Sequence, residues 1–100
     1  MFDWDDANIA HIAAHDILPH EAEEVIDNQP LYLDHSVEDG EERHREIGET
    51  LKGRILVVIS TLRDECTRVV TAYEPTRSLL MSYLAFKESE QHGKANHSQI

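Results

Sequence analysis

One hundred residues, 40% of them hydrophobic and only 6% aromatic, describe a single domain with one modest, mostly aliphatic core. A formal net charge of −11 and a pI near 4.9 exclude a general nucleic-acid coating protein, which is basic over its whole domain. No apolar run approaches the roughly 20 residues of a membrane helix, and the acidic opening MFDWDD is the opposite of a signal peptide's basic start, so a cytoplasmic protein with no membrane partner is expected.

In chain order, Asp5 or Asp6 can cap a helix over about residues 6–15, with Ile9, Ile12 and Ala13 at helical spacing. A second, short helix follows in LPHEAEEVID. Pro19 suits its first turn, Glu21, Glu23 and Glu24 lie near its positive end, and Leu18, Ala22, Val25 and Ile26 share a face. It stops before Pro30, where the period turns strand-like. LYLDH predicts a first strand, Asp39-Gly40 a turn, RHREIGET a second strand and LKG the next turn. RILVVISTLR predicts a third strand whose unbroken apolar run, Ile55 to Ile59, suits a central strand covered on both faces. Asp64-Glu65 makes a tight connection to a fourth, antiparallel strand, CTRVVTAY. Thr76 caps a last helix from Arg77, with Leu79, Leu80, Tyr83 and Leu84 inward. The expected domain spans residues 1–90, with residues 91–100 as a disordered tail. The class is α+β: two N-terminal helices, a three- to four-stranded antiparallel sheet and a C-terminal helix, with all helices on one face and the other free for water or a ligand.

The charge is unevenly placed. Residues 1–42 hold thirteen Asp or Glu and no Lys or Arg, whereas residues 43–100 hold seven acidic residues and all nine basic ones, so the two parts carry −13 and +2. A local basic site therefore remains open, because screening lengths are about 8 Å at physiological salt. Arg43, Arg45, Arg54, Arg63 and Arg68 fall in strands or at their ends, and Arg77 opens the last helix. By strand parity Arg43 and Arg45 share a face, as do Arg68, Val70 and Ala72. The guanidinium fork matches phosphate, so such a cluster could hold an RNA backbone and stabilise a pentacoordinate phosphorane. The competing reading pairs Arg43 and Arg45 with Glu41, Glu42, Glu46 and Glu49 in solvent.

His44, between two arginines, is a candidate acid or base for a ribose hydroxyl. His11 and His15, four apart, have metal-binding spacing but no third ligand, and solvent-facing or capping roles are preferred for them. His92 and His97 fall in the tail. Cys66 is alone and reads as an inert strand thiol. No metal or cofactor is expected, and no glycine-rich phosphate loop or serine elbow occurs.

The segments FDWDDANIAHIAAHDILPHEAEEVI, GEERHREIGETLKGRILVVIST and RVVTAYEPTR, with Tyr83 beyond, together resemble the BrnT family, the toxin half of a type II toxin-antitoxin system. The resemblance covers roughly residues 2–84. It implies a fold similar to RelE-type ribonuclease toxins, metal-independent RNA cleavage that blocks translation, and a BrnA-type antitoxin with a ribbon-helix-helix region as partner. It favours Arg54, Arg68 and Arg77 as catalytic, phosphate-contacting residues, with Arg43 and Arg63 supporting RNA binding and Glu42 and His44 as candidate proton-transfer groups. The sequence departs from the family in having AHD where Lys-His-Gly is common, and the apolar SLLMSYLAF where a basic run is common. Those departures keep open a catalytically silent module of the same fold that binds its partner without cutting RNA, and a homodimer through the apolar helix face.

Overall fold

The computed structural model describes the backbone of residues 1–98 and the side chains of residues 1–91. Its elements, in order, are α1 (Asp6–Ala13), α2 (Pro19–Asp27), β1 (Leu31–Glu38), β2 (Glu41–Glu49), β3 (Ile55–Arg63), β4 (Cys66–Tyr73) and α3 (Arg77–Ser98). The four strands form an antiparallel meander in the order β1-β2-β3-β4. β4 and the start of α3 fall where the sequence predicts them. α3 continues past Glu90 to Ser98, so it enters the segment expected to be a tail; residues 99 and 100, and the side chains of His92 and His97, lie outside the described residues.

The unbroken apolar run of β3 sets the architecture. Leu56 and Val58 point to one face, where they pack with Val69 and Ala72 of β4 against Ile12 of α1, Ile17, and Ala22 and Val25 of α2. Val57 and Ile55 point to the other, where they meet Ile47 of β2, Tyr73 of β4 and Leu79 and Tyr83 of α3. The expectation that all helices share one face is therefore corrected: a strand apolar on both sides needs cover on both, and α3 supplies the second layer. Leu79 and Tyr83 face inward as expected, but Leu84 remains 43% exposed.

A bulge refines the strand parity. Ile59 pairs with Thr71 but Ser60 pairs with Val69, so Val70 is the extra residue in β4. Val69 and Ala72 consequently both reach the α1/α2 core, and Arg68 shares its side with Val70 but not with Ala72.

The two outer edges differ. Beyond β4, Phe2 forms a parallel bridge with Thr67, backed by Asp3 N–H donating to Thr67 O at 2.9 Å and Thr67 N–H donating to Met1 O at 2.8 Å. Beyond β1, no strand pairs among the described residues. Of these residues, no helix is long and apolar enough to cross a membrane.

Where α2 leads into β1, the backbone passes close to Gly48 of β2. A Cβ there would stand 3.2 Å from both Pro30 Cβ and Val25 Cγ1 and 3.3 Å from Pro30 Cα. The rigid proline ring cannot swing aside, so Gly48→Ala is expected to destabilise the domain by about 1–3 kcal/mol through overpacking, read as a lower urea midpoint at unchanged slope.

Candidate nucleic-acid site

Asn8 fixes the approach of α1 to the sheet. Its buried side-chain amide donates to Asp3 O and to Val69 O of β4, both at 3.0 Å, while its Oδ1 accepts from Asp5 N–H at 2.8 Å. Asp5 is the helix cap, and its carboxylate accepts in return from Asn8 N–H at 3.1 Å. α1 is thereby held against β4 near the end of the sheet where the β1–β2 and β3–β4 turns lie.

Between α1 and that end is a cleft of about 260 Å³ lined by Ala7, Asn8, His11, Glu41, Arg43, Arg63, Arg68 and Val70. Three of the sequence-predicted arginines thus converge, one from each of β2, β3 and β4. Each already has a carboxylate partner. Glu41 receives Arg63 Nη2 at 2.8 Å and stands 3.5 Å from Arg43 Nε, while Arg43 Nη1 donates to Glu38 at 2.7 Å. Arg68, only 13% exposed, meets Asp5 at 3.0 Å and Asp3 at 3.5 Å. Arg43 Nε is buried and makes no hydrogen bond: Glu41 is near enough for charge attraction but outside hydrogen-bond geometry.

Electrostatics follow from those contacts. Arg63, and then Arg43, hold the Glu41 carboxyl below its usual value against the opposing effect of burial. Arg68 first, and the Asn8 N–H next, do the same for Asp5, whose charge in turn raises the pKa of Arg68. Glu41 in the cleft and Asp5 beside Arg68 therefore stay ionised at neutral pH and compete with any incoming phosphate for these arginines.

The other predicted residues lie elsewhere. Glu42 and His44 alternate with Glu41 and Arg43 along β2 and so project to its opposite face. There His44 Nδ1 lies 3.1 Å from the Tyr32 hydroxyl and its Nε2 3.8 Å from Glu42. Arg45 forms a two-point pair with Asp34, at 3.0 and 2.8 Å, the solvent pairing foreseen for it but with a different carboxylate. Arg54 stands just before β3 and Arg63 ends that nine-residue strand, so the two are roughly 30 Å apart at about 3.3 Å per residue. It is a clamp: Nη1 donates to Asp16 O at 2.7 Å and to Glu21 at 3.1 Å, and Nη2 reaches Glu74 at 3.4 Å. Arg77, exposed at the N-terminal end of α3, belongs to that same far end.

His11 is the cleft residue that sequence reasoning undervalued. Its ring stacks on that of His15, 6.4 Å between centroids, and His15 lies 6.3 Å from the Tyr73 ring. Among the described residues, no group of three His, Cys, Asp or Glu is placed to hold a metal ion. The useful signal was Asp5-x-x-Asn8: a reciprocal cap fixes the helix phase, and the phase sets where His11 falls.

Every residue lining the cleft falls within residues 4–78, and that span matches the family model described as the ribonuclease toxin, BrnT, of type II toxin-antitoxin systems. No individual curated protein matches the chain.

The Arg54 clamp carries its own pH signature. Burial opposes ionisation of Glu21, but the Leu18 N–H and Arg54 outweigh it and hold the carboxyl below its ordinary value of 4.5. A depressed carboxylate stabilises the fold above that value and loses the contribution as pH falls through the lower, folded one. Arg54→Gln is expected to cost about 1–2 kcal/mol at pH 7, with the gap to wild type narrowing below pH of about 4, as read from urea unfolding at both pH values.

Proposed function

Since this chain belongs to the BrnT family of ribonuclease toxins of type II toxin-antitoxin systems, we propose that it cuts RNA at the cleft formed by Arg43, Arg63 and Arg68. The observation that carries this reading is the convergence of three guanidinium groups, from three different strands, on one 260 Å³ hollow. Planar forks suit phosphate oxygens, and positive charge placed around a phosphodiester stabilises the extra negative charge of a pentacoordinate phosphorane. Arg54 and Arg77, favoured by the family resemblance, take a different place in this proposal. Arg54 holds the α1–α2 connection to β3 and to Glu74, and Arg77 serves RNA flanking the cut. Glu42 and His44, on the reverse of β2, stay outside the chemistry.

The toxin-antitoxin family implies an antitoxin partner. We assign this partner to the BrnA type, with a ribbon-helix-helix DNA-binding region, and the effect of cleavage to a block of translation in the cytoplasm. Charge supports the pairing: a chain of net charge −11 attracts a basic DNA-binding protein. Met81, Leu84 and Phe86, exposed on α3, offer that partner apolar anchors.

One observation favours the catalytically silent reading, in which the chain binds its partner but not RNA. Arg43, Arg63 and Arg68 are paired with four carboxylates, Glu38, Glu41, Asp3 and Asp5, which leaves that group without net positive charge. Labelled single-stranded RNA incubated with the protein in EDTA separates the two. Cleavage by wild type that falls about 10²-fold in kcat/KM for Arg63→Ala, but only a few-fold for Arg77→Ala, is expected from the ribonuclease. RNA affinity should fall with salt at a log–log slope of roughly −2, as for three phosphate contacts on a single strand. No cleavage by folded wild type, with tight antitoxin binding retained, would leave the silent module.

A further inference from the structure

Cleavage by attack of a ribose hydroxyl needs a group to take its proton, and we infer that His11 is the general base of the arginine cleft. The inference rests on the ribonuclease reading above and adds to it a residue from the helix opposite the arginines. His11 follows Asn8 by three positions, so it lies one turn along on the same side of α1, and the three Asn8 side-chain bonds fix that side toward the cleft.

The competing groups fail on geometry. Glu41 lines the cleft but is engaged by Arg63 and Arg43, which makes it a poor proton acceptor. His44 and Glu42 project from the reverse of β2, and His15 stacks behind His11 without lining the cleft. Among the described residues His11 is thus the one imidazole lining the cleft, and imidazole is the side chain suited to proton transfer near neutral pH. It is also solvent-exposed, so it can reach a bound nucleotide without disturbing the core.

The step balances without a further reactant. His11 takes the 2′-hydroxyl proton, the 2′-oxygen bonds to phosphorus, and the bond from phosphorus to the 5′-oxygen breaks. That oxygen takes a proton from water, and the hydroxide so formed takes the proton back from His11, leaving a 2′,3′-cyclic phosphate, a 5′-hydroxyl end and a neutral imidazole. The charged and titratable groups facing His11 are His15 on its own helix and Glu41, Arg43, Arg63 and Arg68 from the sheet.

The test is the rate of RNA cleavage against pH for wild type, His11→Asn and His44→Asn, with each variant's urea midpoint as a folding control. His11→Asn is expected to lower kcat by about 10²-fold or more with KM little changed, and to flatten the pH dependence of the rate relative to wild type. His44→Asn is expected to keep both rate and profile. Uridine 3′-monophosphate should in addition shift the His11 ring proton resonances of the wild-type protein. An active wild type whose His11→Asn variant keeps the same rate and pH profile would overturn the role of His11 and leave the ribonuclease reading standing. A wild type that cuts no RNA would remove that reading and this inference together.

Discussion

The side-chain amide of Asn8 is the contact on which the rest of the cleft depends. A buried amide is costly unless its donors and acceptor are all used, and here they are used on three separate pieces of chain: the N-terminal segment at Asp3, the helix cap at Asp5 and the β4 backbone at Val69. That sharing fixes where α1 begins and which way it is turned. Asp5 can then meet Arg68 while Ile12, one turn farther on, enters the core. Any residue unable to copy both the donors and the acceptor would free the helix and the Asp5–Arg68 pair together.

The unequal charge of the two chain parts finds its explanation in the same contacts. Among the described ion pairs of the arginines, only Arg54–Glu74 lies within residues 43–100; every other one joins an acidic residue of the first 42 to an arginine of the rest. The acidic part is the counter-charge of the sheet, laid along its strands and along α1 and α2. Most of these pairs are exposed and individually weak, so their role is to place side chains more than to hold the fold. The apolar layers on the two faces of β3 hold it.

Local signals made much of this legible. Proline at the start of α2, Asp39-Gly40 between β1 and β2, and the β-branched run of β3 each act within a few residues, and the elements they mark appear in place. The same run implies a second layer, since Ile55 and Val57 alternate with Leu56 and Val58, but which helix supplies it depends on where the chain turns after β4, which periodicity does not encode. Convergence of Arg43, Arg63 and Arg68 was less accessible. It depends on the register of three strands and on the bulge at Val70, which no periodicity announces. The bridge at Phe2 is one residue long and leaves no pattern at all.

The unequal edges of the sheet govern what the fold can join. On the β4 side, Phe2 takes up the outermost backbone at Thr67 and closes part of that border. On the β1 side no strand pairs among the described residues, and the border carries Asp34 and Glu38 and leads into Asp39. Asp34 and Glu38 are each paired with an arginine of β2, and charged residues on an edge strand are a common defence against runaway strand pairing. An added strand there would have to strip water from the Arg43–Glu38 and Arg45–Asp34 pairs, so the sheet's free border carries its own resistance to extension.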